Sequence, residues 1–154
     1  MTLLQILLIL NLAADGQESA LPLVPGWQTT RTLDSPFATQ AAAADGKFVY
    51  AISNTVVAQY DRQTGQLLAQ GTAPDAKHLN SGFVWEGQVY CAHSNYPQLP
   101  EESDIRVFDP QSGKLSLLKR FEQPAGSLVW CLRRGEHWWC CFAHYGEQNQ
   151  RTVL

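Results

Sequence analysis

Basic runs, zinc-ligand spacings and helical stripes are all missing from this chain. Its eleven Lys and Arg lie scattered among fourteen Asp and Glu, and the formal net charge is −3. No cluster tracks a phosphate backbone and no field draws a polyanion, so nucleic acid is not expected as a partner. The four cysteines, Cys91, Cys131, Cys140 and Cys141, are too sparse for a disulfide scaffold, and their spacing leaves open whether they pair. Neither Cys-x-x-Cys nor His-x-x-x-His occurs, so no structural metal site is expected, and nothing implies a cofactor. The Gly-x-Ser-x-Gly signature of serine hydrolases is absent as well. Past the first fourteen residues, no stretch sustains an apolar stripe of helical period between end caps, which argues against a helical fold.

What is present begins with "MTLLQILLILNLAA", nearly uncharged and apolar from Leu3 to Leu12. This predicts a signal peptide over residues 1–14, cleaved after Ala13 or Ala14. Its apolar core is too short for a bilayer, whose roughly 30 Å of hydrocarbon needs about 20 apolar residues. A secreted or periplasmic protein, with no membrane attachment after cleavage, is the expectation. A buried N-terminal helix is the alternative. Residues 15–36 are rich in Pro, Gly, Thr, Ser and Asp and read as a lead-in segment.

The texture then changes. "AAAADGKFVYAIS" sets Asp45-Gly46 between two apolar runs, "GFVWEGQVYCAHS" does the same at Glu86-Gly87, and "SLVWCLRRGEHWWCCFAH" at Arg134-Gly135. Each predicts a β-hairpin, because glycine tolerates the positive φ that tight turns need. Tyr50, Tyr90 and Trp139 occupy matching places after these turns. A second echo follows: "YDRQTG" at Tyr60–Gly65 returns as "FDPQSG" at Phe108–Gly113. Asp61 and Asp109 can accept hydrogen bonds from turn amides, Thr64 and Ser112 can do the same, and Gly65 and Gly113 supply the left-handed conformation. Two successive hairpins make a unit of four antiparallel strands in roughly 40 to 50 residues.

That unit resembles the blades of quinoprotein-like, kelch-like and glutamine cyclotransferase-like β-propellers. The expected fold is all-β: a partial β-propeller over residues 37–154, about two and a half four-stranded antiparallel blades, near 37–70, 78–120 and 126–154. Such an array leaves an open blade edge, so the expectation is either a fragment of a larger ring or self-association through that edge. The glutamine cyclotransferase likeness rests on "GFVWEGQVYCAHSNY" and "IRVFDPQSGKL". The acidic residue that family places after its aromatic strand is replaced by Ala92 and His93, so its chemistry does not carry over. Some propellers of the quinoprotein class stack pyrroloquinoline quinone on a disulfide of adjacent cysteines. Cys140-Cys141 beside Trp138-Trp139 has those residue types, but alternate side chains of a strand face opposite ways, so small buried cysteines are the expected reading.

Antiparallel pairing should gather His78, Asn80, His93, Asn95, Tyr96, His144 and Tyr145 on one end of the sheets, where loops on a rigid scaffold carry ligands. The competing explanation is that turn-adjacent His, Asn and Tyr merely satisfy backbone groups. Glu101, Glu102 and Asp104 read as a solvated acidic loop, with calcium binding as the weaker alternative. Two functional classes remain. One is an exported binding or scaffold module for a peptide, glycan or small polar ligand. The other is a propeller enzyme of cyclase, lyase or lactonase type acting on a small polar metabolite or sugar, with His78, His93 or His144 as general base. The apparent lack of a carboxylate beside these histidines favours binding.

Overall fold

Short apolar runs punctuated by tight turns cannot bury both faces alone, and here they form sheets that cover one another. The computed structural model describes residue 26 and residues 28–154. The proposed signal peptide and most of the lead-in segment lie outside the described residues. The chain divides into two units, Met1–Thr32 and Leu33–Leu154, and all ten strands belong to the second. The fold is all-β.

The first sheet comprises β1 (Ala41–Ala44), β2 (Phe48–Ile52), β3 (Val56–Asp61) and β4 (Leu67–Thr72), paired antiparallel in chain order. The second repeats this with β5 (His78–Trp85), β6 (Gln88–Ser94), β7 (Ser103–Asp109) and β8 (Lys114–Phe121). The third pairs β9 (Ser127–Arg134) with β10 (His137–Ala143), followed by a short 3-10 helix over Gly146–Arg151 and a single bridge between Phe142 and Val153. No helix among the described residues is long and apolar enough to cross a membrane.

The turns follow the residues that were singled out, with one exception. At the two echoed turns, Asp61 Oδ1 accepts from the Gln63 and Thr64 amides at 2.9 and 2.6 Å, and Asp109 Oδ1 accepts from the Gln111 amide at 3.0 Å. Gly65 and Gly113 sit at φ of 76° and 67°, each donating its amide to the aspartate carbonyl four residues back. At the β5–β6 hairpin, Glu86 and Gly87 both take positive φ, 49° and 77°. Gly46 does not. The β1–β2 turn is closed instead by the Asp45 carboxylate, whose Oδ1 accepts from the Lys47 and Phe48 amides at 2.7 and 2.8 Å. A short side chain that folds back on its own backbone has replaced glycine's left-handed freedom there.

Period-two alternation sends successive side chains to opposite faces, and the second sheet uses both. Val89, Cys91 and Phe108 pack with Tyr50, Ile52, Val57, Leu79 and Leu115 between the first and second sheets. Tyr90, Ala92 and Ile105 pack with Leu128 and Cys131 between the second and third. Leu128 and Cys131 differ by an odd number of positions yet face the same way. A bulge in β9 explains it: Cys141 pairs with Trp130 but Phe142 pairs with Leu128, so the extra residue resets the alternation. The far face of the first sheet, Ala51, Ala58 and Tyr60, is covered by Phe37, and Ser35 bonds the Tyr60 hydroxyl at 2.8 Å. Trp139 occupies the place of Tyr50 and Tyr90 but lies on the face of β10 that no described sheet covers, and it is 49% exposed.

First strands lie near first strands, β1 by β5 and β5 by β9, and β4 lies by β8. The β4–β8 approach depends on Gly71, where an added Cβ would stand 2.6 Å from the Gly113 carbonyl oxygen and 2.7 Å from the Phe108 ring. Gly71→Ala is expected to cost about 1–3 kcal/mol through overpacking against backbone. Gly46→Ala, where nothing lies within 4 Å, should be near neutral. Urea denaturation of the two variants side by side checks the pair.

Candidate functional site

The loop end of the second sheet is built by its register. His78 pairs with Ser94 and Leu79 with His93, so the start of β5 and the end of β6 lie together. Across β6, His93 pairs with Asp104 and Ser94 with Ser103. The chain between β6 and β7 is held by Asn95, whose Nδ2 donates to the Pro100 carbonyl and whose Oδ1 accepts from the Glu102 amide, both at 2.9 Å. Two prolyl peptides of this loop, Tyr96-Pro97 and Leu99-Pro100, are cis. The loop presents Tyr96 outward, 40% exposed.

Tyr96 stands between two other rings, 5.5 Å from His78 and 4.7 Å from Tyr145 by centroid. Beside the tyrosine pair is a cleft of about 220 Å³ lined by Tyr96, Leu99, Glu101, His144, Tyr145 and Gln148. His144 is fixed within it: Nε2 meets the Ala125 carbonyl, the backbone amide donates to Thr152 Oγ1 at 3.1 Å, and Nδ1 lies 3.7 Å from Glu101 Oε1. Burial, followed by the neighbouring Tyr96, raises the Tyr145 pKa, and burial followed by His93 lowers that of His78. A buried imidazole, two phenol rings tilted against each other and a carboxylate thus share one opening.

Of the seven residues expected together, His78, Tyr96, His144 and Tyr145 line or adjoin this opening. Three serve the scaffold. Asn95 clamps its own loop, and Asn80 donates from Nδ2 to the Leu128 carbonyl at 2.9 Å, tying the second sheet to the third. His93 turns inward and is 5% exposed. Its Nε2 accepts from the Lys77 amide at 2.9 Å, so the proton sits on Nδ1, which donates to Asp104 Oδ1 at 3.0 Å.

Two sequence expectations are corrected here. Asp104 is not part of a solvated acidic loop: it lies within β7, buried, with its side chain between the first two sheets. Nor do the histidines lack carboxylates, since His93 has Asp104 and His144 has Glu101. Asp104 belongs to a network the sequence reading missed. Arg106 Nε donates to Asp104 Oδ1 at 2.6 Å, while Nη1 and Nη2 grip Asp75 at 2.8 and 2.9 Å. Asp75 comes from the connection between the first two sheets, so the fork staples that connection to β7. Reading "SDIRVFD" as a strand from its first residue would have placed Asp104, Arg106 and Phe108 on one face.

The chain matches no protein-family model and no curated protein sequence. Among solved structures it is similar to a computationally designed protein, Ika4, at 13% identity and a TM-score of 0.43, covering 74% of this chain and 91% of that one.

The cysteines stand apart from the opening. Cys140 and Cys141 alternate across β10, Cys140 pairing with Cys131 on β9, and all four residues are free thiols. Burial pushes the Cys91 thiol up to about 12 and raises Cys131 and Cys140 as well, which suits packing rather than nucleophilic chemistry.

The carboxylate network sets a pH dependence. The Arg106 hydrogen bonds hold Asp75 down at about 2; burial opposes ionisation of Asp104, but the bonds from His93 and Arg106 outweigh it and lower its pKa too. Carboxyls with depressed folded-state values stabilise fully above the unfolded value of about 3.9 and lose that contribution as pH falls toward 2. Urea midpoints of the wild type should therefore drop between about pH 4 and pH 2. Asp75→Asn should flatten that limb while costing at most about 1 kcal/mol at pH 7, since Asp75 is 57% exposed. Arg106→Met, which strands Asp104 in the interior, should cost about 3–5 kcal/mol.

Proposed function

We propose that this chain is a run of β-propeller-type blades acting as an exported, non-enzymatic binding module, with the Tyr96–Tyr145 opening as its ligand site. The observation that carries the reading is the exposed tyrosine pair beside Glu101 and His144, with Tyr96 on the loop that Asn95 clamps and Tyr145 just past the end of β10. Aromatic faces take the flat side of a ring while a carboxylate and an imidazole take its hydroxyls or amides, a combination suited to a small polar ring such as a sugar, free or within a glycan. The blade reading draws on repeated antiparallel sheets stacked first strand by first strand, with the repeating Asp-x-x-Thr/Ser-Gly turns. Export rests on the apolar N-terminal fourteen residues.

The enzymatic alternative is narrowed to two bases. Both nitrogens of His93 are engaged, whereas His144 donates from Nε2 to the Ala125 carbonyl and keeps Nδ1 as an acceptor, and the lowered pKa of His78 favours its neutral form, able to accept a proton.

Panels of immobilised glycans and of short peptides, probed with the wild-type chain and with Tyr96→Ala/Tyr145→Ala, test the binding reading. Glycan signals lost in the double variant at unchanged thermal midpoint support it. Signals indifferent to both tyrosines refute it, and turnover of a hit that disappears in His78→Ala would move the protein to the enzymatic class.

A further inference from the structure

Hairpin turns close the ends of the sheets opposite the tyrosine site, and three of those turns surround a second cleft. Asp45 comes from the β1–β2 turn, Gly87 from the β5–β6 turn, and Pro110 and Gln111 from the turn between β7 and β8. The cleft holds about 350 Å³, near the lower end of the roughly 300–1,000 Å³ of small-molecule pockets. Strand β6 begins just after Gly87 and ends just before Asn95, so its length separates this cleft from the Tyr96–Tyr145 opening.

A chain of hydrogen bonds sets the polarity of the cleft. Tyr50, which is buried, donates its hydroxyl to Asp45 Oδ2 at 3.3 Å, since a carboxylate can only accept. The Tyr50 oxygen in turn accepts from Gln59 Nε2 at 3.2 Å. That order fixes the Gln59 amide: its nitrogen faces the tyrosine, and its Oε1 meets no donor among the described residues. Gln59 is only 6% exposed and borders the cleft. Asp45 is held ionised, because burial opposes its charge but the Lys47 and Phe48 amides outweigh burial and lower its pKa. A carboxylate and an amide oxygen thus seek donors at one opening, beside Phe48 and Pro110 and with no cationic residue in the lining. The neighbouring cations stay outside it: Arg62 Nη1 donates to the Asp45 backbone carbonyl at 2.9 Å, and Lys47 is exposed.

We infer that this cleft is a second ligand site, for the guanidinium group of a small molecule or of an arginine side chain. Both free groups accept and one is charged, so the lining asks for a cation with several N–H donors. A guanidinium holds five donors in a planar fork that reaches two separate acceptors and stacks on an aromatic ring, here Phe48, whereas an ammonium is a point charge. The site stands on the geometry of the turn end and does not depend on the ligand reading above.

Ethylguanidinium chloride titrated into the full chain, with neutral ethylurea as the matched control, tests the site through the NMR resonances of the Phe48 amide and the Gln59 side chain. Saturable shifts with ethylguanidinium alone are expected, weakening in high salt. Asp45→Asn, which keeps an oxygen for the turn amides, and Gln59→Leu should each weaken binding about tenfold or more by removing one charge-assisted contact. At the rim, where Gln111 is exposed, Gln111→Glu should tighten binding and Gln111→Lys weaken it, each about two- to threefold. N-acetyl-arginine amide distinguishes the source: tighter binding than ethylguanidinium supports a peptide side chain, and weaker binding supports a free small molecule. Equal shifts with ethylurea, equal binding of ethylammonium, or indifference to Asp45→Asn and to both Gln111 variants would overturn the inference.

Discussion

Burial on both faces at once is the constraint that organises this protein, and β6 meets it most fully. Val89 and Cys91 enter the contact with the first sheet, while Tyr90 and Ala92 enter the contact with the third. A strand buried on both sides has no solvent face to relax toward, so its register fixes its neighbours: a one-residue slip would exchange the two sets of side chains. The close approach at Gly71 and the β9 bulge are local accommodations to the same demand. One makes room where two outer strands meet, and the other turns Leu128 and Cys131 to the same side.

Polar groups are placed where this stacking would otherwise leave the backbone unsatisfied. Ser103 donates to the Gly126 carbonyl and accepts from the Leu128 amide, and Asn80 reaches the Leu128 carbonyl, so the entry of β9 is stitched to the second sheet. Arg106 does the corresponding work between the first two sheets. Its charge is buried, but two carboxylates surround it, and the fork geometry leaves Asp75 to share the load with solvent. These residues make the loop end rigid. That rigidity is what allows Tyr96 and Tyr145 to be held 4.7 Å apart while remaining exposed.

Much of the fold was legible because turns and alternation are local. Asp61, Thr64 and Gly65 announce their turn by residue type, and the repetition at Asp109, Ser112 and Gly113 extends the same logic to a second sheet. The all-β architecture followed from those signals. The inside of the candidate site was not legible in the same way. Whether His93 faces a ligand or a carboxylate depends on where β7 begins, and "PEESDIRV" does not mark that point with a breaker. Taken as loop, Asp104 is solvated; taken as strand, it is buried opposite His93. Gly46 misled for a related reason, since Asp-Gly can turn the chain through either residue, and here the aspartate carboxylate does so.

Native-state amide hydrogen exchange tests the stacked arrangement most directly. With the second sheet enclosed by its neighbours, the amides of Val89 to Ala92 should exchange only through global unfolding, together with those of β2 and β3, while the outward amides of β10 exchange through far smaller openings. Amides of β6 that exchange as readily as those of β8, or three sheets that open independently of one another, would contradict the account.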